Sequence, residues 1–202
     1  MKSPIRKSLK WSVSIALVTL LLAALFSITS NALLGGLSWA FGMLIVLIIV
    51  IIGIIFDIIG VASTATDEKP FHAMASKKVK GARQAIYIVR HADRVSNFCN
   101  DVIGDISGIV SGTAAAVVVM ELALRLGHEE GTTLHTAISV LFTSVIAALT
   151  VGGKALGKTL AIRYATEIVF RVGRLILFFE ERLHIKIIDA NKKRLPAEMN
   201  HP

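Results

Sequence analysis

Apolar side chains in this chain run in long unbroken blocks rather than at helical or strand spacing. From Trp11 to Phe56 no residue carries a charge. A helix needs about 20 residues to cross a bilayer, so this block is too long for one span. The cluster Asn31-Ala32-Leu33-Leu34-Gly35-Gly36 has turn composition and divides it into two helices, near 12–32 and 40–60. Apolar sequence returns at Asn100–Leu124 and at Leu134–Gly153, on either side of a short polar link, Arg125 to Gly131. The pattern predicts an all-α polytopic membrane protein with four transmembrane helices.

Between the second and third blocks the character changes. Over 61–99, Lys69, Lys77, Lys78, Lys80, Arg83, Arg90 and Arg94 outnumber Asp67, Glu68 and Asp93. Pro70 suits a first helical position, and Gly81 is expected to divide the segment into two short helices. In the second of these, Ala82, Ala85, Ile86, Val89 and Ala92 recur at helical spacing, as in an amphipathic hairpin lying on the membrane or on its own bundle. After the fourth block, Ile168, Val172, Leu175, Ile176, Phe179 and Leu183 form a second stripe, with Arg163, Arg171, Arg174 and Arg182 between them. Residues 189–202 read as a polar tail.

Composition agrees with this layout. Hydrophobic residues make up 54% of the 202, against the 45–50% usual in soluble domains. One cysteine, Cys99, rules out an internal disulfide and a cysteine metal cage. The net charge of +8 marks a cytoplasmic face, because the basic residues flank the spans and no nucleic-acid recognition motif accompanies them. The basic N-terminus, the 61–99 segment and the C-terminal segment therefore belong inside, in a cell membrane, with both termini cytoplasmic. The first block follows a basic stretch as a signal peptide does, but its length and the lack of a small-x-small cleavage site favour a retained anchor. The expected organisation is an extra N-terminal span over 1–40, a transmembrane domain over 41–188 containing the 61–99 hairpin, and the tail.

Acidic residues inside apolar spans are costly and are candidate functional sites. Asp57 ends the second block. Asp101 and Asp105 open the third and share a side with Ser107, Gly108 and Ser111. A hard cation such as magnesium takes oxygen ligands from carboxylates, hydroxyls and carbonyls. Asp57, Gly104, Asp105, Ser107 and Ser111 are the candidate metal contacts. The competing reading pairs Asp105 with a basic neighbour and leaves Asp101 at the interface. Gly104, Gly108 and Gly112, four apart, offer a face for close helix approach. The histidines show no metal-ligand spacing, no nucleophile–base pair stands out, and an enzyme is not expected. Gly152 to Thr159 matches G-x-x-x-x-G-K-[ST]. The apolar segment before it reads as a span, and the 43 residues after Thr159 are too few for a nucleotide-binding sheet, so nucleotide is not expected there.

The order of Arg94-Val95-Ser96-Asn97-Phe98, Ile103-Gly104-Asp105 and Gly153-Lys154-Ala155-Leu156-Gly157-Lys158-Thr159-Leu160-Ala161, after an apolar span ending at Phe56-Asp57, resembles the transmembrane domain of the cyclin M / CorB / CorC magnesium-transporter superfamily. The likeness covers about residues 41–185. It implies a homodimer, a cytosolic helical hairpin, and a dehydrated magnesium ion held by small polar side chains and backbone carbonyls, with transport coupled to sodium. The chain departs from the pattern in several places. It has an extra N-terminal span, and nothing in it corresponds to the nucleotide-binding CBS pair. Gly60 and Lys154 stand where the family has glutamates, Asp105 where it has asparagine, and Gly157 where it has proline. The resemblance implies a divalent-cation transporter-like protein. The alternative is a membrane scaffold or regulator that keeps the fold, with Lys154 as a charge partner for the acids.

The charge pattern makes a direct prediction. Reporter fusions at Ser3, Gly36, Lys78, Glu130 and Met199 should read inside, outside, inside, outside, inside. An inside signal at Gly36 or Glu130 would exclude the four-span arrangement.

Overall fold

A computed structural model describes residues 4–34, 39–125 and 133–183. Of the breaks expected at Asn31–Gly36 and Arg125–Gly131, residues 31–34 and Arg125 are instead helical, and the remainder, with the tail, lies outside the described residues. What is described is entirely helical: α1 (Pro4–Leu34), α2 (Trp39–Ala65), α3 (Lys69–Ser76), α4 (Ala82–Arg90), α5 (Ala92–Asn97), a π-helical turn (Phe98–Gly104), α6 (Asp105–Arg125), α7 (Thr133–Arg163) and α8 (Ala165–Leu183). Four stretches are long and apolar enough to cross a membrane: 12–29, 40–65, 92–122 and 136–163.

The helix limits differ from the sequence expectation for physical reasons. α2 continues past Gly60 to Ala65, and the hydroxyls of Ser63 and Thr64 in this last stretch bond back to the Gly60 and Val61 carbonyls, at 2.7 and 2.9 Å. It stops before Pro70, which lies in the first turn of α3. The third span starts at Ala92 rather than Asn100, and the widened π turn absorbs the change of direction. α7 runs through Gly152 and Gly153 to Arg163, because those glycines sit inside a packed helix rather than at its end.

α2 is the hub. Its buried positions, Gly42, Val46, Val50, Gly53, Asp57, Gly60 and Ser63, fall three or four apart along one stripe. Val46 packs with Ala114, Ala115 and Val118 of α6. Lower down, Val102, Ile106 and Val110 meet Ile49 of α2 and Ile15 and Leu22 of α1. Beyond the spans, Ala62 joins Phe71, Ala85, Ile88, Ala161, Ala165 and Val169 in a third cluster around the fully buried Phe71. None of residues 12–29 is buried, so α1 lies at the edge.

Close helix approach occurs where glycine lets it, and mostly not at the expected seam. A side chain at Gly157 would place its Cβ 2.8 Å from Ile58 Cγ1, Gly153 abuts Ile54, and a Cβ at Gly53 would stand 2.7 Å from Ser107 Cβ. Gly108 and Gly112 have nothing within 4 Å among the described residues. The phosphate-loop-like Gly152–Thr159 stretch is thus about two turns of α7, with Gly153 and Gly157 as its α2-packing edge.

The hairpin splits at Gly81, as its composition predicts. Gly81 adopts φ 88°, a left-handed conformation open to glycine at little cost. The hairpin packs on α8: a Cβ at Gly173 would stand 2.7 Å from the Gly81 carbonyl oxygen. The expected α8 stripe holds in part: Ile168, Val172 and Ile176 pack on the third cluster. Ala165, Val169 and Gly173 are buried, while Leu175 and Phe179 point outward because α4 takes the opposite edge. Glu68 ties the turn after α2 to α4, pairing with His72 Nε2 and Arg90 Nε, both at 3.0 Å.

Two predictions follow from this packing. Gly157→Leu should destabilise the detergent-solubilised protein by about 1–3 kcal/mol, the cost of overpacking. Gly152→Leu, which meets open space on the same helix, should not. Equal melting temperatures for the two variants would remove the α2–α7 contact. Glu68 supplies a pH dependence. Its slight burial works to raise the carboxyl pKa, but hydrogen bonds and charge from His72 and Arg90 outweigh that and hold it below the ordinary glutamate value. A depressed folded pKa contributes stability above the unfolded value that is lost as pH falls through the folded one. The melting temperatures of wild type and Glu68→Gln should therefore differ at pH 7 and converge in acid. A gap that persists in acid would remove the ionic contribution.

Candidate functional site

The polar residues of the spans gather where α2, the π turn and α7 meet. Asp57 faces inward from the middle of the α2 stripe and is 4% exposed. Its neighbours on the stripe are Gly53 and Gly60, so the π turn and the start of α6 can come close. Asn100, in the π turn, presses its carboxamide against Gly60 and donates from Nδ2 to Ser96 Oγ at 3.1 Å. Two buried oxygens have no hydrogen-bond partner among the described residues: Asp57 Oδ2 and Asn100 Oδ1. A buried acceptor left unpaired costs about 1–3 kcal/mol, more if it is charged. Nearly all buried polar groups find a partner, so such pairs need a reason.

Gly104 closes the π turn. The point where its Cβ would stand lies 3.5 Å from Lys154 Nζ and 3.9 Å from Asp57 Oδ1, so the lysine and the aspartate approach a common point. Lys154 reaches it from α7 and donates to the Gly104 carbonyl at 3.1 Å. It also stands 3.7 Å from Asp105 Oδ1. The carbonyl is the stronger tie. A hydrogen bond from a charged donor contributes about 1.5–3 kcal/mol. The Asp105 side chain is 67% exposed, and exposed ion pairs contribute about 0–1 kcal/mol.

The expected metal contacts thus divide. Asp57 and Gly104 converge, and Asp105 reaches the node through Lys154 from the outer face. Ser107 is buried against Gly53 in the same α2–α6 interface. Ser111 is buried two turns further along α6 with its hydroxyl bonded to its own helix, at the Gly108 carbonyl, 3.0 Å away. Asn100 is the residue the sequence reading left without a role. The signal was present, since an amide four residues before Gly104 at the start of an apolar block is as conspicuous as an acid. Among the described residues no group of three or more His, Cys, Asp or Glu side chains is placed to hold a metal. What gathers at Gly104 is instead a carboxylate and a backbone carbonyl with one ammonium, and the Asn100 amide lies against Gly60, one turn from Asp57 along α2. π turns of this kind are frequent at functional sites.

Comparison with family models, with characterised proteins and with solved structures gave no match to this chain.

Proposed function

We propose that this protein is a divalent-cation transporter-like membrane protein with magnesium as its cargo. The ion path passes the node formed by Asp57, Asn100 and the Gly104 carbonyl. The observation that carries this reading is the pair of buried, unpartnered oxygens, Asp57 Oδ2 and Asn100 Oδ1, beside a carbonyl already used to bind an ammonium. Carboxylate, amide and carbonyl oxygens are the donors a hard cation such as magnesium takes. The arrangement agrees with the superfamily resemblance, where small polar side chains and carbonyls hold the ion. Lys154 is a tethered competitor for the same oxygens, and it must withdraw for an ion to pass.

The four apolar helices, with large exposed aliphatic side chains such as Leu17, Leu21, Leu141 and Leu156, support insertion in a bilayer. The outer face of α6 carries the exposed Asp105 together with Gly108 and Gly112, which meet open space. In this reading a second copy covers that face and the protein is a homodimer.

The second reading, a membrane scaffold that keeps the fold without moving ions, is favoured by Lys154 already filling the node.

Magnesium flux into vesicles separates the two. Transport by wild type that falls at least ten-fold in Asp57→Asn supports the first reading. Flux that appears only in Lys154→Glu identifies a transporter silenced by its own lysine. Silence of wild type, Asp57→Asn and Lys154→Glu alike leaves the scaffold reading standing.

A further inference from the structure

The turn between α3 and α4 holds a residue in a place that favours another. α3 ends with Lys78 N–H bonded to the Ala75 carbonyl and Val79 N–H to the Met74 carbonyl, both at 3.0 Å. This helix stop takes glycine by preference at its left-handed position. Lys78 occupies that position, at φ 56°, where a side chain adds strain. The strained backbone sets the lysine at the mouth of a cavity of about 430 Å³ between the turn and α8, lined by Lys78, Lys80, Arg83, Gln84 and Leu177 among others. Among the described residues no acid lines it. Gln84 donates to Glu180 Oε2 at 2.8 Å and so engages the nearest carboxylate of α8. The stem of Arg174 lies across Gly81, while its guanidinium stacks over the Phe170 ring, 5.4 Å from the centroid, so the basic lining is Lys78, Lys80 and Arg83.

Apolar side chains flank this basic cavity. Val79, in the lining, is 40% exposed, and Phe178, beside the lining residue Leu177 on α8, is 58% exposed. α4 and the core cover the other face of α8. Outward-facing Val and Phe beside a ring of Lys and Arg match a bilayer boundary, with acyl chains below and anionic headgroups above. α8 also continues directly from the membrane-spanning α7 with only Tyr164 between them.

We propose that the cavity between the α3–α4 turn and α8 binds the phosphate headgroup of an anionic lipid. Lys78, Lys80 and Arg83 face the phosphate, while Val79 and Phe178 rest in the acyl boundary. The proposal needs the apolar helices to be membrane spans, but it does not depend on ion transport.

The test uses the 202-residue chain in detergent, titrated with dioctanoyl phosphatidylglycerol or dioctanoyl phosphatidylcholine, with bound lipid counted by native mass spectrometry. Each basic residue near an anionic surface contributes about a factor of five, so Lys78→Gln/Lys80→Gln/Arg83→Gln should weaken phosphatidylglycerol binding on the order of 100-fold. Phosphatidylcholine should bind weakly to both proteins. The single exchanges Lys80→Gln and Arg83→Gln should each lose about five-fold, which keeps the test valid if the triple variant folds poorly. The control Lys69→Gln/Arg94→Gln/Lys158→Gln removes three basic residues outside the cavity and should bind like wild type. Equal losses in the control and the cavity variants would overturn the site in favour of a general surface field. Undiminished binding in the cavity variants would overturn it outright. Binding of inorganic phosphate at the same concentrations as the lipid would show a phosphate site instead of a lipid one.

Discussion

The bond from Lys154 to the Gly104 carbonyl joins three helices with one ammonium. It fixes α7 to the point where the π turn hands over to α6, and it does so beside the buried carboxylate of α2. A charge taken into an apolar slab must find partners, and the cost of failing is several kcal/mol per ion. Gly53 and Gly60 on α2, and Gly153 and Gly157 on α7, bring the backbones close enough for the side chains to meet. The π turn widens the chain at the same level, turning Asn100 and the Gly104 carbonyl toward α2.

This geometry separates two electrostatic roles that look alike in sequence. Asp57 is enclosed and has an oxygen without a partner, whereas Asp105 looks outward from α6 and touches Lys154 only at 3.7 Å. The first keeps a strong demand for positive charge. The second tunes how firmly the lysine is held, and anything that covers the outer face of α6 would strengthen that hold by lowering the local dielectric.

The four long apolar helices, the split at Gly81 and the meeting of Lys154 with an acid of the third block were legible in the sequence, because charge and glycine are conspicuous against aliphatic runs. The buried stripe of α2 was not. From Phe41 to Phe56 nearly every residue is apolar, so no periodicity distinguishes the side facing α6 from the side facing outward. The glycines misled in the opposite sense. Gly104, Gly108 and Gly112 have an obvious four-residue spacing, yet two of them meet open space. Gly153 and Gly157, which do pack, were hidden inside a phosphate-loop pattern. The α8 stripe was legible in part: Ile168, Val172 and Ile176 pack on the core, while Leu175 and Phe179 belong to a second, exposed apolar edge that spacing alone merges with the first. Asn100 went unassigned because an amide at the edge of a span usually marks an interface, and only its packing against Gly60 shows it turned inward.

The junction between α7 and α8 has a mechanical consequence. Only Tyr164 separates the two helices, and backbone bonds bridge it, Tyr164 N–H to Leu160 O at 2.9 Å and Ile168 N–H to Tyr164 O at 3.0 Å. At 1.5 Å per residue, Lys154 lies about 15 Å from that junction along a stiff rod. A tilt of α7 that draws the ammonium away from the π turn therefore swings α8 and the hairpin packed on it. The helix acts as a lever, so force applied at the basic end of the molecule reaches the ammonium that stands beside Asp57 and the Gly104 carbonyl.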